Sequence, residues 1–182
     1  DQELANEVKQ KTLGQIEGRL AIYSASHINF SPDLNNLPGS VGRQEVISEV
    51  ESAANEQFKQ RMEENGLENV QETGEEPFET DSGKSPGVKT YSAEFPVGTV
   101  EYETGGETIS IDVGSIAVSG DLAVWNEGDY VIVAGGAYPA ENFSKTTEKT
   151  LSEAISVTVD IDLGLTPQDY KAEVRDLMAA TK

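Results

Sequence analysis

Ile116-Ala117-Val118-Ser119-Gly120-Asp121-Leu122-Ala123-Val124-Trp125 is followed by Asn126-Glu127-Gly128-Asp129 and then by Tyr130-Val131-Ile132-Val133-Ala134-Gly135-Gly136-Ala137-Tyr138. Two apolar runs around a short polar turn containing glycine read as a β-hairpin. Val131 to Ala134 is continuously apolar rather than alternating, which predicts a central strand covered on both faces. Gly135-Gly136 inside that strand predicts a bulge or a close approach to the backbone.

Working outward, the upstream chain keeps a period of two. Thr104-Gly105-Gly106-Glu107 is a hairpin turn signal flanked by Val100/Tyr102 and by Ile109/Ile111/Val113. A strand is predicted from Val88 to about Phe95, after a loop over Asp81 to Gly87, and a short one from Leu67 to Glu72. Before these the period changes. Val46, Val50, Ala54, Phe58 and Met62 fall four apart with Ile47 beside them, predicting an amphipathic helix from about Gly42 to Asn65. Gly66 is its left-handed stop. Phe58 and its stripe should face the sheet. Ser31 to Ser40 reads as a loop, and Ile16 to Phe30 as a strand.

Downstream, Ser144 to about Ser156 fits a helix capped by Ser144, with Leu151, Ala154 and Ile155 inward. Ser156 to Leu163 is β-branched and ambiguous. Thr166-Pro167-Gln168-Asp169 opens a last helix with a cap, proline at its first position and an acid in its first turn. Its inward stripe is Tyr170, Val174, Leu177 and Met178. The sum is a single α+β domain over residues 16–182: a mainly antiparallel meander packed by one long amphipathic helix and by C-terminal helices. Residues 1–15 are polar and weakly patterned, as an N-terminal tether or a frayed segment would be.

Length and composition agree with one domain. The chain has 182 residues, of which 36% are hydrophobic. Area scaling lets a chain of this size bury about 70% of its extended surface, so it needs no metal or disulfide staple. Cysteine is absent and His27 is the sole histidine. Disulfide scaffolds, zinc fingers, thiol nucleophiles and sites built on several histidines are thereby excluded.

The charge balance decides more. Thirty-three acids against 13 bases leave a net charge of −20. That density repels nucleic-acid phosphates and anionic lipid alike. The acids are spread along the whole chain instead of forming a tail, as on a protein adapted to high salt, where a Debye length of about 3 Å at 1 M screens self-repulsion. Stability is therefore expected to rise with salt. No run of the sequence approaches the ~20 apolar residues of a membrane-spanning helix.

Candidate chemistry is sparse. His27, at the end of a strand, reads as hydrogen-bonded or solvent-facing, and its removal should leave function intact. Glu63/Glu64, Glu75/Glu76 and Asp160/Asp162 are paired carboxylates. Glycoside hydrolysis needs such a pair across a cleft with one member in an apolar pocket, but among 33 acids solvated charge is the ordinary reading. Asp160-Ile161-Asp162 places two carboxylates on one strand face, which suits Ca²⁺, yet no loop has the ligand spacing of an EF-hand. Val133 to Ala137 lacks a dinucleotide or phosphate-loop spacing, and no serine sits in a nucleophile elbow. No catalytic, cofactor or metal residue is assigned. Asn29-Phe30-Ser31 and Asn142-Phe143-Ser144 are N-glycosylation sequons. Asn142 is the better acceptor, because Pro32 follows the first.

The stretch from Gly120 to Trp125, followed by Gly128 to Pro139, resembles exported proteins of halophilic archaea, small and often lipid-anchored chains with twin-arginine signals. The order of strand, amphipathic helix and meander over Ile16 to Phe143 is similar as well. The resemblance implies an extracellular or cell-surface location and an N-terminal lipid anchor. It carries no activity. The expected function is a non-enzymatic extracytoplasmic binding or interaction domain whose partner is a surface protein or a small ligand. The alternatives are an extracellular hydrolase using a carboxylate pair, and a structural subunit of a surface layer or filament.

Overall fold

A computed structural model describes residues 2–16, 19, 21–30, 39–104, 107–152 and 155–182. The elements in chain order are α1 (Gln2–Ile16), β1 (Ile22–Asn29), α2 (Gly39–Glu64), β2 (Glu68–Pro77), β3 (Gly87–Thr104), β4 (Glu107–Glu127), β5 (Tyr130–Pro139), β6 (Ser144–Ser152), β7 (Ile155–Asp162) and α3 (Pro167–Ala180). Five strands form an antiparallel sheet in the order β1-β5-β4-β3-β2, and β6 pairs with β7 in a separate ribbon. The α+β architecture read from the sequence is the one observed.

The opening hairpin forms as read. Glu127 pairs with Tyr130 across Gly128 and Asp129, and Gly128 has φ +60°, which glycine adopts without the Cβ penalty. β5 lies between β1 and β4, so both its edges are hydrogen-bonded. Its residues alternate between two apolar clusters. Val131 and Ala137 face a large core shared with α1 and α2. Ile132, Ala134 and Tyr138 face a second core shared with α3.

The glycine pair is what lets the helices come down on this strand. A Cβ at Gly135 would stand 3.1 Å from Phe58 Cε2 and 2.7 Å from the Asp121 carbonyl oxygen. One at Gly136 would stand 2.7 Å from Val174 Cγ1 and 2.6 Å from the Ile22 carbonyl oxygen. Of the two readings of this pair, close approach is correct, since the register on either side runs without a bulge.

α2 buries Ala54, Phe58 and Met62, with Val46 and Val50 half-buried. It ends as expected. Gly66 has φ +87°, its N–H donates to Glu63 O and the Leu67 N–H donates to Met62 O at 3.1 Å. This is a Schellman stop closed by apolar contact between buried Leu67 and Met62.

Several local readings need correction. Residues 2–16 form a helix where a tether or frayed segment was expected, because Val8 and Thr12, four apart, are fully buried on one side of it. Ser144–Ser152 is strand β6, not a capped helix: Thr146 pairs with Asp160 and Thr147 with Val159 of β7. The apolar spacing of Leu151, Ala154 and Ile155 imitated a helix, but β-branched Thr146, Thr147 and Thr150 favour the pleat. Among the described residues the C-terminal part therefore has one helix, α3. Thr166 makes no side-chain cap bond there, although Pro167 and Asp169 stand as read. Val174 and Met178 are buried, but Leu177 is 44% exposed. The strands read separately on either side of Pro96-Val97-Gly98 are one strand, β3. Likewise the two read around Gly114 are one strand, β4, and the interruption is a bulge where Gly98 pairs with Gly114. The turn residues Gly105-Gly106 and most of the Ser31 to Ser40 loop lie outside the described residues.

Candidate functional site

α2 does not lie flat on the sheet along its whole length. Between its middle turns and the β1 side of the sheet is a cavity of about 150 Å³. Its floor is Leu122 of β4, Val133 and Gly135 of β5 and Ile28 of β1; its roof is Val50, Ala53, Ala54 and Phe58 of α2. Ser24 and Ser26 of β1 and Gln57 and Arg61 of α2 supply its polar groups. The alternation of β1 puts Ser24, Ser26 and Ile28 together on the face toward α2, with both serines exposed at the groove mouth, and spacings of three and four put Val50, Ala54, Gln57 and Arg61 on the side of α2 that meets them. Gly135 matters here too, since any side chain would fill the space that Phe58 borders.

On the opposite face lies a charged cluster. Asp121, 1% exposed, accepts a hydrogen bond at 2.7 Å from Arg175 Nε of α3. Arg175 Nη2 is 2.8 Å from Glu76 Oε2, and Lys171 Nζ is 3.2 Å from the same oxygen. Burial pushes the Glu76 carboxyl up, but Lys171 and Arg175 outweigh it and hold it below the usual range. Burial likewise works against the Arg175 charge, and the Asp121 and Glu76 carboxylates together more than restore it. Tyr138 is pushed well up by burial and by the adjacent Asp121 charge, so its phenol keeps its proton. Asp121 Oδ1 and Trp125 Nε1 are buried without a hydrogen-bond partner among the described residues. The cluster ties α3 to β2 and β4 and is built as an anchor.

The residues singled out in the sequence do not converge. His27 is exposed on β1 and stacks on Tyr130 with ring centroids 5.0 Å apart. Asn29 is exposed at the end of β1, while Ser31 and Pro32 lie outside the described residues. Asn142 is already engaged: its Nδ2 donates to Asp162 Oδ1 at 2.9 Å, and its Oδ1 accepts from Leu165 N at 2.8 Å. That Asn142 bond and the Gly164 N–H hold the Asp162 carboxyl below its usual range. Asp160 accepts from Thr146 Oγ1 at 2.6 Å. Both carboxylates of this pair therefore brace β6, β7 and the turn after them. Among the described residues no three acidic or histidine side chains gather as a metal site would need. Among them, too, no helix is long and apolar enough to cross a membrane.

Two features escaped the sequence reading. Asp121 carried a signal, since a single acid inside an otherwise apolar strand must meet a cation. The groove carried none, because its lining comes from four elements whose apposition is purely tertiary.

Comparison with known proteins adds one relationship. No curated protein and no solved structure matches the chain. The family described as Domain of unknown function (DUF6517) matches residues 10–182. With all but the first nine residues covered, the chain belongs to the DUF6517 family.

Proposed function

We propose that the chain is a non-enzymatic binding domain of a salt-adapted cell surface, and that the groove under α2 is its binding site. The groove carries the reading. It is concave, mostly apolar, preformed between a helix and a sheet, and fringed by a few polar groups, which is the usual build of a small-molecule site. An apolar space of this order accepts a body about the size of one aromatic ring. The dispersed charge of −20 supports a high-salt setting, and the resemblance to exported halophile proteins supports an extracytoplasmic one with an N-terminal anchor.

Neither alternative gains from the geometry. A hydrolytic general acid needs a carboxyl pushed up, whereas Glu76 and Asp162 are both held down. A subunit that joins its neighbours through strands needs open, apolar edges. β1 exposes Ser24, Ser26 and His27, and β2 is acidic and breaks register twice.

The test is titration of the whole chain with indole in 2 M KCl, followed by amide chemical shifts. Shifts confined to Ser24, Ser26, Leu122, Val133 and Gly135, and lost in Ala53→Trp, are expected. Shifts scattered over the surface, or none, would overturn the assignment of the groove.

A further inference from the structure

The groove differs electrostatically from the rest of the molecule. Acids are 33 of the 182 residues, so twelve residues taken at random would include about two. The twelve that line the groove include none. Their one charged member is Arg61, and bases are the scarce class, 13 in the whole chain.

Arg61 is also uncommitted. Lys11, Lys89, Lys145, Lys171 and Arg175 each have a carboxylate within 4 Å. Arg61 has no such pair among the described residues, although α2 is rich in glutamate. The neighbouring Glu64 accepts from Gln60 at 2.9 Å instead. The Arg61 guanidinium thus stands at the rim of an apolar pocket with its donors free of carboxylates.

We infer that the ligand of the groove is a small amphipathic carboxylate: an apolar body of about one ring seated on Leu122, Val133 and Gly135, with its carboxylate on Arg61. A planar guanidinium meets a carboxylate with two parallel N–H donors, a match no neutral ligand offers. Ser24, Ser26 and Gln57 add donors around the same space. The overall charge does not forbid an anion. In molar salt the Debye length is about 3 Å, so distant acids are screened while a guanidinium in contact still pairs.

The inference rests on the groove being a binding site, and the experiment separates the two. The whole chain in 2 M KCl is titrated with phenylacetate and with phenylacetamide, which share a ring and differ in charge. The expected result is that both bind at the groove by amide shifts and that phenylacetate binds at least tenfold more tightly. Arg61→Gln should reduce phenylacetate to the level of the amide, and Arg61→Lys should restore part of the difference. Lys59→Gln, a lost cation on the same helix outside the groove, should change nothing. Equal binding of the two probes to the native chain, or undiminished phenylacetate binding by a folded Arg61→Gln, overturns the carboxylate inference and leaves the groove standing. Binding of neither probe overturns both.

Discussion

Arg175 is the residue on which the second face of the sheet depends. It touches the buried Asp121 and the half-exposed Glu76 at once. Removing one partner of a buried pair leaves an uncompensated charge, which costs about 3–5 kcal/mol. Arg175→Gln is expected to lose stability on that scale, measured by urea unfolding; a loss under about 1 kcal/mol would mean that water reaches Asp121. Glu76 gives the same anchor a pH dependence. Its folded pKa lies below its unfolded one, so its contribution is present above the ordinary glutamate range, near pH 4.5, and is lost as pH falls through the folded value. The urea midpoint of Glu76→Gln should lie below that of the native chain at pH 7 and converge with it as the pH falls below the ordinary glutamate range. A gap that stays constant would show that Glu76 acts by packing alone. At this scale the sequence is legible where one residue type breaks a pattern. Gly135-Gly136 announced either a bulge or a close approach, and the structure decides for close approach because no other residue leaves that space. Arg61 announced nothing, because an arginine on a polar helix face looks the same whether or not a groove lies beneath it.

Among the elements, α2 shows most plainly why a pattern succeeds. Its apolar stripe repeats over five positions and ends in a glycine stop, so local and tertiary preferences agree. Phe58 sits at the point where that stripe meets Gly120 and Gly135. Phe58→Ala should cost about 3–5 kcal/mol, read from denaturant unfolding, and a cost below about 1 kcal/mol would place α2 wrongly on the sheet. β6 shows the opposite. Its one apolar residue, Leu151, falls at helical spacing with Ala154 and Ile155 beyond its end, and only the pairing with β7 reveals β6 as a strand. α1 was hidden for a related reason: two buried residues, Val8 and Thr12, make too short a stripe to stand out of a polar segment. Leu177 completed the stripe on paper for α3, yet the helix turns it out to solvent.

For the whole molecule, charge sets the working conditions. Averaged over 10246 Å² of surface, 33 acids amount to one per about 310 Å², a mean spacing of about 18 Å. That spacing is less than two Debye lengths at 0.1 M salt and about six at 1 M. Repulsion felt across the folded surface in dilute buffer should therefore vanish in molar salt. The melting temperature, followed by circular dichroism, is expected to rise from 0.1 to 3 M KCl, and a flat or falling trend would defeat the salt-adapted reading. The sheet order has a different consequence, in time. β1 pairs with β5, bringing Ile22 against Ala137, so the first strand made must wait for the fifth. At the ~5–20 residues per second of protein synthesis, the 115 residues that follow Ile22 up to Ala137 take roughly 6–23 seconds to arrive. α3, which closes the other face over Ile132 and Ala134, is synthesised after every strand of the sheet. The nascent chain thus holds α2 and the β2–β4 meander well before either flank can be completed. Final folding is a late event that α3 completes, and a chain that stops short of α3 leaves its maker with a half-covered sheet.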